Sequence, residues 1–350
     1  MTEEKQRTEA TYRAIKTNSS SSLKEFSLDR KKYYKKYVLG ETVEDKDTQA
    51  ATTGRVVETL LLEPQEFDGR FYMSSCTSAP TGLMLAFVDA LYKHTFNATT
   101  KDGEMTREFS DIARDAYVDS GFKIKFDAVI AKFVGSDAGL YYNELRIVRG
   151  RGLTVVTVNE IDNAERIVQE LRTNHVTATI VNLVNSARWT VLNQLQVTEY
   201  YVEGMEFKSM MDKVVIDHEK KTIQVYDLKC VWSVEGFYED YYLYRRAYIQ
   251  AYLYNEGIAS WASESGYGDY IILNTKFIVC DSINYMNPLI YTLTDDDMNE
   301  AFYGFEHKGR TYPGVQSLIE NLGWAIENSV WNMSRENYLS NGVVNIKGGN

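Results

Sequence analysis

The stretch MMDKVVIDHEKKTIQVYDLKC, residues 210–230, decides the fold class. Two runs rich in Val and Ile flank the charged segment HEKK at 218–221, a pattern that predicts two antiparallel strands joined by a tight turn. Side chains alternate along a strand, so Ile223, Val225, Asp227 and Lys229 share one face, and Gln224, Tyr226 and Leu228 share the other. On the first face two apolar residues give way to an acid and a base. A buried ion pair is costly unless something compensates it. A divalent cation would do so, with Asp212 on the neighbouring strand as a second carboxylate.

Working outward, LQVTEYYV (195–202) leads into the hairpin as a further strand, and YEDYYLYRRAYIQAYLYNEG (238–257) follows it as a helix ended by Gly257. Gln250 and Tyr254 stand four apart on that helix and share a face. GDYIILNTKFIVCD (268–281) reads as a further strand pair or one long strand. Upstream, Ser22 followed by Glu25 is a capping-box pattern that starts a helix at Leu23. That helix carries RKKYYKK (30–36). A second helix is expected from about Asp47 to Glu63, stopping before Pro64, with Gly54 and Glu58 on one face. Residues 73–193 read as a mostly helical insertion of unknown role, with one strand at GLTVVTV (152–158). The predicted organisation is therefore a helical opening at 1–72, the insertion at 73–193, a sheet with its helix at 194–290, and a C-terminal helical cover at 291–350. Within the last part, TDDD (294–297) reads as a helix N-terminus, where carboxylates suit the helix dipole.

Composition bounds the function. With 44% hydrophobic and 25% charged residues and only four prolines, the chain is a folding sequence, not a disordered one. No apolar run reaches the roughly 20 residues that span a bilayer. The polar opening MTEEKQRTEATYRAIK does not read as a signal peptide. Three scattered cysteines, Cys76, Cys230 and Cys280, form no CxxC spacing; a zinc site or disulfide framework is not expected, and a cytoplasmic setting fits. The net charge of −11 argues against a protein coated in nucleic acid but allows a local basic groove. No Walker A pattern is present, so ATP-driven movement is not encoded.

Two carboxylates and a neighbouring lysine are what phosphodiester hydrolysis requires. The carboxylates supply hard oxygen ligands for Mg²⁺, and the lysine orients the attacking water and steadies developing charge. For RKKYYKK, Lys31, Lys32 and Lys35 could track phosphates with the tyrosines stacking on bases, or the cations could be solvated with the tyrosines turned inward. Arg245 and Arg246 precede Gln250 by about one turn and could contact phosphate or pair with Glu239 or Asp240.

Asp212, then DLK at 227–229, then Q-x-x-x-Y at 250–254 resembles the motif order of PD-(D/E)xK nucleases of the RecB-like group, closest to the RecE (exonuclease VIII)-type and related phage proteins. The resemblance covers 12–72 and 194–258 and includes SSSSLKEFSLDRKKYYKKYVLGE, TGRVVETLLLEPQEFDGRFY and GMEFKSMMDKVVID. It implies an α/β, restriction-endonuclease-like core with a central mixed sheet flanked by helices. It implies that Asp212 and Asp227 bind Mg²⁺, with Mn²⁺ able to substitute, that Lys229 is the catalytic lysine, and that Gln250 and Tyr254 touch DNA or brace the site. The expected activity is an exonuclease that resects duplex DNA in recombination or phage DNA metabolism, assembled as a ring and working beside a single-strand annealing protein. Two alternatives stand: an endonuclease with the same site, and an inactive nuclease-fold module that binds DNA or protein. The sequence departs from the family at Glu58, where a histidine is usual; glutamate can also ligate Mg²⁺. On the strand before Asp212, where many members carry a glutamate, the candidates are Gln194, Gln196 and Glu199, and only Glu199 keeps the acid.

Overall fold

The computed structural model describes residues 9–41, 49–148, 150–284 and 286–344. The chain forms two compact units: Met1–Asp47 with Gln169–Asn350, and Thr48–Val168.

The first unit is built on a five-stranded mixed sheet. Its strands are β1 (Trp189–Val202), β2 (Met205–Asp217), β3 (Thr222–Val231), β4 (Ile271–Asp281) and β5 (Leu289–Tyr291), hydrogen-bonded in that order. Neighbouring pairs are antiparallel except β3 and β4, which run parallel. A parallel pair needs a crossover, and a helix over Ala247–Glu264 lies in that connection. Within 268–281 the chain thus forms one long strand, Ile271–Asp281, rather than a strand pair. The hairpin turns at 218–221, where the Asp217 carboxylate accepts the amides of Glu219 and Lys220 at 3.0 and 3.1 Å. His218, in the turn, is half-buried rather than exposed, held by Thr190 and Tyr270.

Helix α1 (Ser20–Leu28) packs on this unit through Leu23 and Phe26, which join Val214, Ile216, Ile223, Val225, Phe277 and Val279 in one apolar core. Its start differs from the expected one. Ser19, not Ser22, is the N-cap, and Ser22 returns its hydroxyl to the Ser19 amide. Serine can occupy either side of a capping box, and a run of four serines leaves the register to tertiary packing. The helix also stops earlier than expected, because Asp29 is extended and caps a new short helix, Arg30–Tyr33. In RKKYYKK, Tyr33 and Tyr34 turn inward and stack on Trp331 at 5.9 and 5.2 Å.

The second unit has its own core of Phe87, Leu91, Ile112, Ala116, Phe133 and Tyr142, drawn from helices such as Gly82–Asn97 and Phe109–Ser120. Helix α2 (Gln49–Leu62) opens it and ends before Pro64 as predicted; the expected start at Asp47 lies outside the described residues. The predicted strand at 152–158 appears as Thr154–Val156, paired with Phe71–Met73.

Helix α3 (Ala247–Glu264) covers the sheet and runs straight through Gly257, which the sequence had suggested as its end. A Cβ there would stand 3.0 Å from the Tyr200 ring and 3.2 Å from the Met211 methyl. Gly257 is therefore a point of close approach between helix and sheet, not a stop signal. Thr294 caps the helix Asp295–Tyr303 in a capping box with Asp297, as TDDD predicted. Among the described residues, no helix is long and apolar enough to cross a membrane.

Candidate active site

The site forms where β2 and β3 part. Their ladder runs from Asp217–Thr222 to Lys213–Tyr226, and the next rung would set Asp212 opposite Asp227. Pairing stops there, while β3 stays bonded to β4 from Asp227–Phe277 through Val231–Asp281. The strands thus fork, and β3 is left with an edge that β2 no longer serves. The Asp212 carboxylate fills part of that gap by accepting the Leu228 amide at 2.7 Å.

Asp227 points into the layer between sheet and helix, on the face that carries the fully buried Ile223 and Val225, and its side chain is 1% exposed. Its Oδ1 accepts a hydrogen bond from Gln250 Nε2 at 2.7 Å. Its Oδ2 is buried without a regular hydrogen bond and forms an ion pair with the Lys229 ammonium. The strand alternation that put Asp227 and Lys229 on one face therefore also brings their charges together.

Gln250 uses every polar atom it has. The second hydrogen on Nε2 goes to Tyr254 Oη at 2.8 Å, and its carbonyl accepts from Lys24 Nζ at 3.2 Å. Tyr254 in turn donates to the Met210 carbonyl at 2.6 Å. Burial, and then the Asp227 and Asp212 charges, push the Tyr254 hydroxyl well above its ordinary range, so it stays protonated and can only donate or accept hydrogen bonds. The i, i+4 pair predicted from Q-x-x-x-Y thus ties α3 to both strands.

Lys24, on α1, was not singled out from the sequence. Burial and the Lys229 charge lower its ammonium to about 8, and Asp227 opposes them. Its partner is 226 positions away, so no local pattern marks it. Arg245 contributes a further positive charge near Lys24 and lies 4.5 Å over the Tyr241 ring.

The remaining predicted residues lie on other elements. Asn193 pairs with Lys213 and Leu195 with Met211, so Gln194 falls across from Asp212. Glu199 lies five residues further along β1, beyond a bulge and exposed, roughly 16 Å away at strand spacing. The acid expected on this strand is thus replaced in register by a glutamine, and Glu199 is no ligand at the fork. Glu58 is half-buried on α2, in the second unit. Lys31 and Lys35 are exposed, and Lys32 pairs with Glu25 at 3.0 Å. Arg246 turns inward to Ser27 Oγ, and burial lowers its guanidinium.

The donor set fits a hard divalent cation. Asp212 and Asp227 offer carboxylate oxygens at one fork, and the buried Asp227 Oδ2 has the Lys229 ion pair but no hydrogen bond of its own. Among the described residues of this unit, no third His, Cys, Asp or Glu joins them. Two carboxylates with water in the other positions is a Mg²⁺-like arrangement, since Mg²⁺ gives up its waters reluctantly.

No protein-family model matches the chain. No curated protein matches it either. A solved structure from Eubacterium rectale, provisionally assigned as an exonuclease, is similar over 93% of this chain and 87% of that one, with 14% identity and a TM-score of 0.47. A likeness this loose carries no weight for mechanism.

Proposed function

We propose that the protein is a Mg²⁺- or Mn²⁺-dependent DNA nuclease of the RecB-like PD-(D/E)xK kind, cutting duplex DNA as an exonuclease in recombination or phage DNA metabolism. One observation carries the reading: Asp212, Asp227 and Lys229, three groups picked from the sequence for this chemistry, meet at a single strand fork. Asp212 and Asp227 would hold the cation. When bound, it would polarise a phosphoryl oxygen and lower the pKa of a water.

The chain's own groups supply the rest. Gln250 fixes the direction of the Asp227 carboxylate, leaving Oδ2 on the side of Lys229. The Lys229 side chain is 23% exposed and its ammonium pairs with Asp227, a place from which it can hold a water in line with phosphorus and steady the charge that develops on the phosphoryl oxygens. The water oxygen bonds to phosphorus as the bond to the leaving sugar oxygen breaks; the water gives up a proton to solvent and the departing oxygen takes one up from solvent. Tyr254 stays protonated throughout and braces Gln250 against the Met210 carbonyl.

The test is linear duplex DNA with Mg²⁺ or Mn²⁺, comparing wild type with Lys229→Ala. Cutting by wild type alone supports the proposal. No cutting by either protein in either metal favours a module that binds without hydrolysis, the reading to which the Glu58 departure and the −11 charge lean. Sedimentation separates the two nuclease readings: a ring fits processive exonuclease action, and a strict monomer fits an endonuclease.

A further inference from the structure

Helices α1 and α3 meet along a polar seam. Lys24 reaches Gln250, and Ser27 receives Arg246; each pair of positions lies about one turn apart on its own helix. The seam runs beside Leu23 and Phe26, which are fully buried. Lys24 is half-buried there, and its hydrogen-bond partner is one neutral amide oxygen, a poor exchange for the hydration an ammonium group gives up.

The charges around it sharpen the point. Lys229 and Arg245 both act on Lys24 as like charges, and Asp227 is the one carboxylate among the groups acting on it. Three cationic side chains from three elements therefore converge at the rim of one buried acid. If a divalent cation engages Asp212 and Asp227, the surplus of positive charge at this rim grows.

We propose that Lys24 is a DNA-contacting residue of the site, donating from Nζ to a non-bridging oxygen of the phosphodiester backbone while Gln250 keeps it aimed. Arg245 completes the contact from the exposed side, above Tyr241. The inference rests on the nuclease reading but concerns a residue that the reading does not require.

The experiment is fluorescence anisotropy of a short labelled DNA duplex with Ca²⁺ in place of Mg²⁺, across a KCl series, for wild type, Lys24→Met and Lys24→Arg. Loss of one phosphate contact should weaken binding several-fold and lower the slope of log affinity against log salt by about one in the methionine variant. The arginine variant should restore most of the slope. If wild type binds and Lys24→Met keeps its slope, Lys24 is only a strut for Gln250 and the inference is overturned. If wild type neither binds nor cuts DNA, the nuclease reading falls and takes this inference with it. Lys24→Gln serves as the second variant should the methionine protein fail to fold, and the same two results decide it.

Discussion

Replacing Gln250 by leucine removes the amide on which the site is hung. The side chain donates to Asp227 Oδ1 at 2.7 Å and to Tyr254 Oη at 2.8 Å, and accepts from Lys24 at 3.2 Å. Leucine has similar bulk, so packing is nearly kept and the change isolates the hydrogen bonds. A bond to a charged group contributes about 1.5–3 kcal/mol and a neutral one about 0.5–1.5 kcal/mol. The contributions do not add simply, because the three partners form one network. Asp227 also keeps Lys229. The expected loss is therefore about 2–4 kcal/mol of unfolding free energy, read as a lower urea midpoint with an unchanged slope. Activity should fall by roughly 10–100-fold, the usual effect of losing a residue that orients a metal ligand. A Gln250→Leu protein with wild-type urea midpoint and wild-type cutting would refute the network reading, since it would mean that Asp227 holds its direction without the amide.

Other outcomes follow from the same contacts. Lys24→Met should be more stable than wild type at neutral pH, because a fall from 10.5 to about 8 corresponds to at most about 3 kcal/mol. Below pH 8 both states carry the proton and the folded state bears the full cost; between 8 and 10.5 the unfolded chain alone holds it, so wild-type stability rises with pH and the variant's advantage fades. Urea titrations at pH 7 and pH 10 check this, and a destabilised variant at pH 7 would contradict it. Asp212→Asn keeps an oxygen for the Leu228 amide but loses the charge, so metal-dependent cutting should vanish while the urea midpoint moves by less than about 1 kcal/mol equivalent. Gly257→Ala should lower the melting temperature despite a helix gain of about 1 kcal/mol, because its methyl meets Tyr200 and Met211 at 3.0 and 3.2 Å.

The parts of the site set by local period were legible in the sequence. Alternation put Asp227 and Lys229 on one strand face, the hairpin pattern brought Asp212 to the neighbouring strand, and helical spacing paired Gln250 with Tyr254. What was not legible depends on irregular backbone or on distance along the chain. Gln194 takes a left-handed conformation and a bulge follows Val197, so counting by twos along β1 cannot find the residue facing Asp212. Gly257 looked like a helix end because glycine often is one, and only the rings across from it reveal the other use. Lys24 meets the site through tertiary packing, and its neighbours in sequence, SSSL and EF, carry no trace of Gln250. The second core, around Phe87 and Phe133, has helical periodicity that predicts helices but no chemistry.

The forked strands set how the two carboxylates can move. Asp227 rides on a strand clamped to Phe277 and its successors, whereas Asp212 rides on the strand that has already peeled away. Asp212 has a different support, since β2 stays paired with β1 at Lys213 and Met211 and takes the Tyr254 hydroxyl at the Met210 carbonyl. A change in the separation of the two carboxylates would bear on the Leu228 amide contact, which spans the fork. Should the pair hold a cation, the place where the sheet comes apart is where ions of different radius would be accommodated.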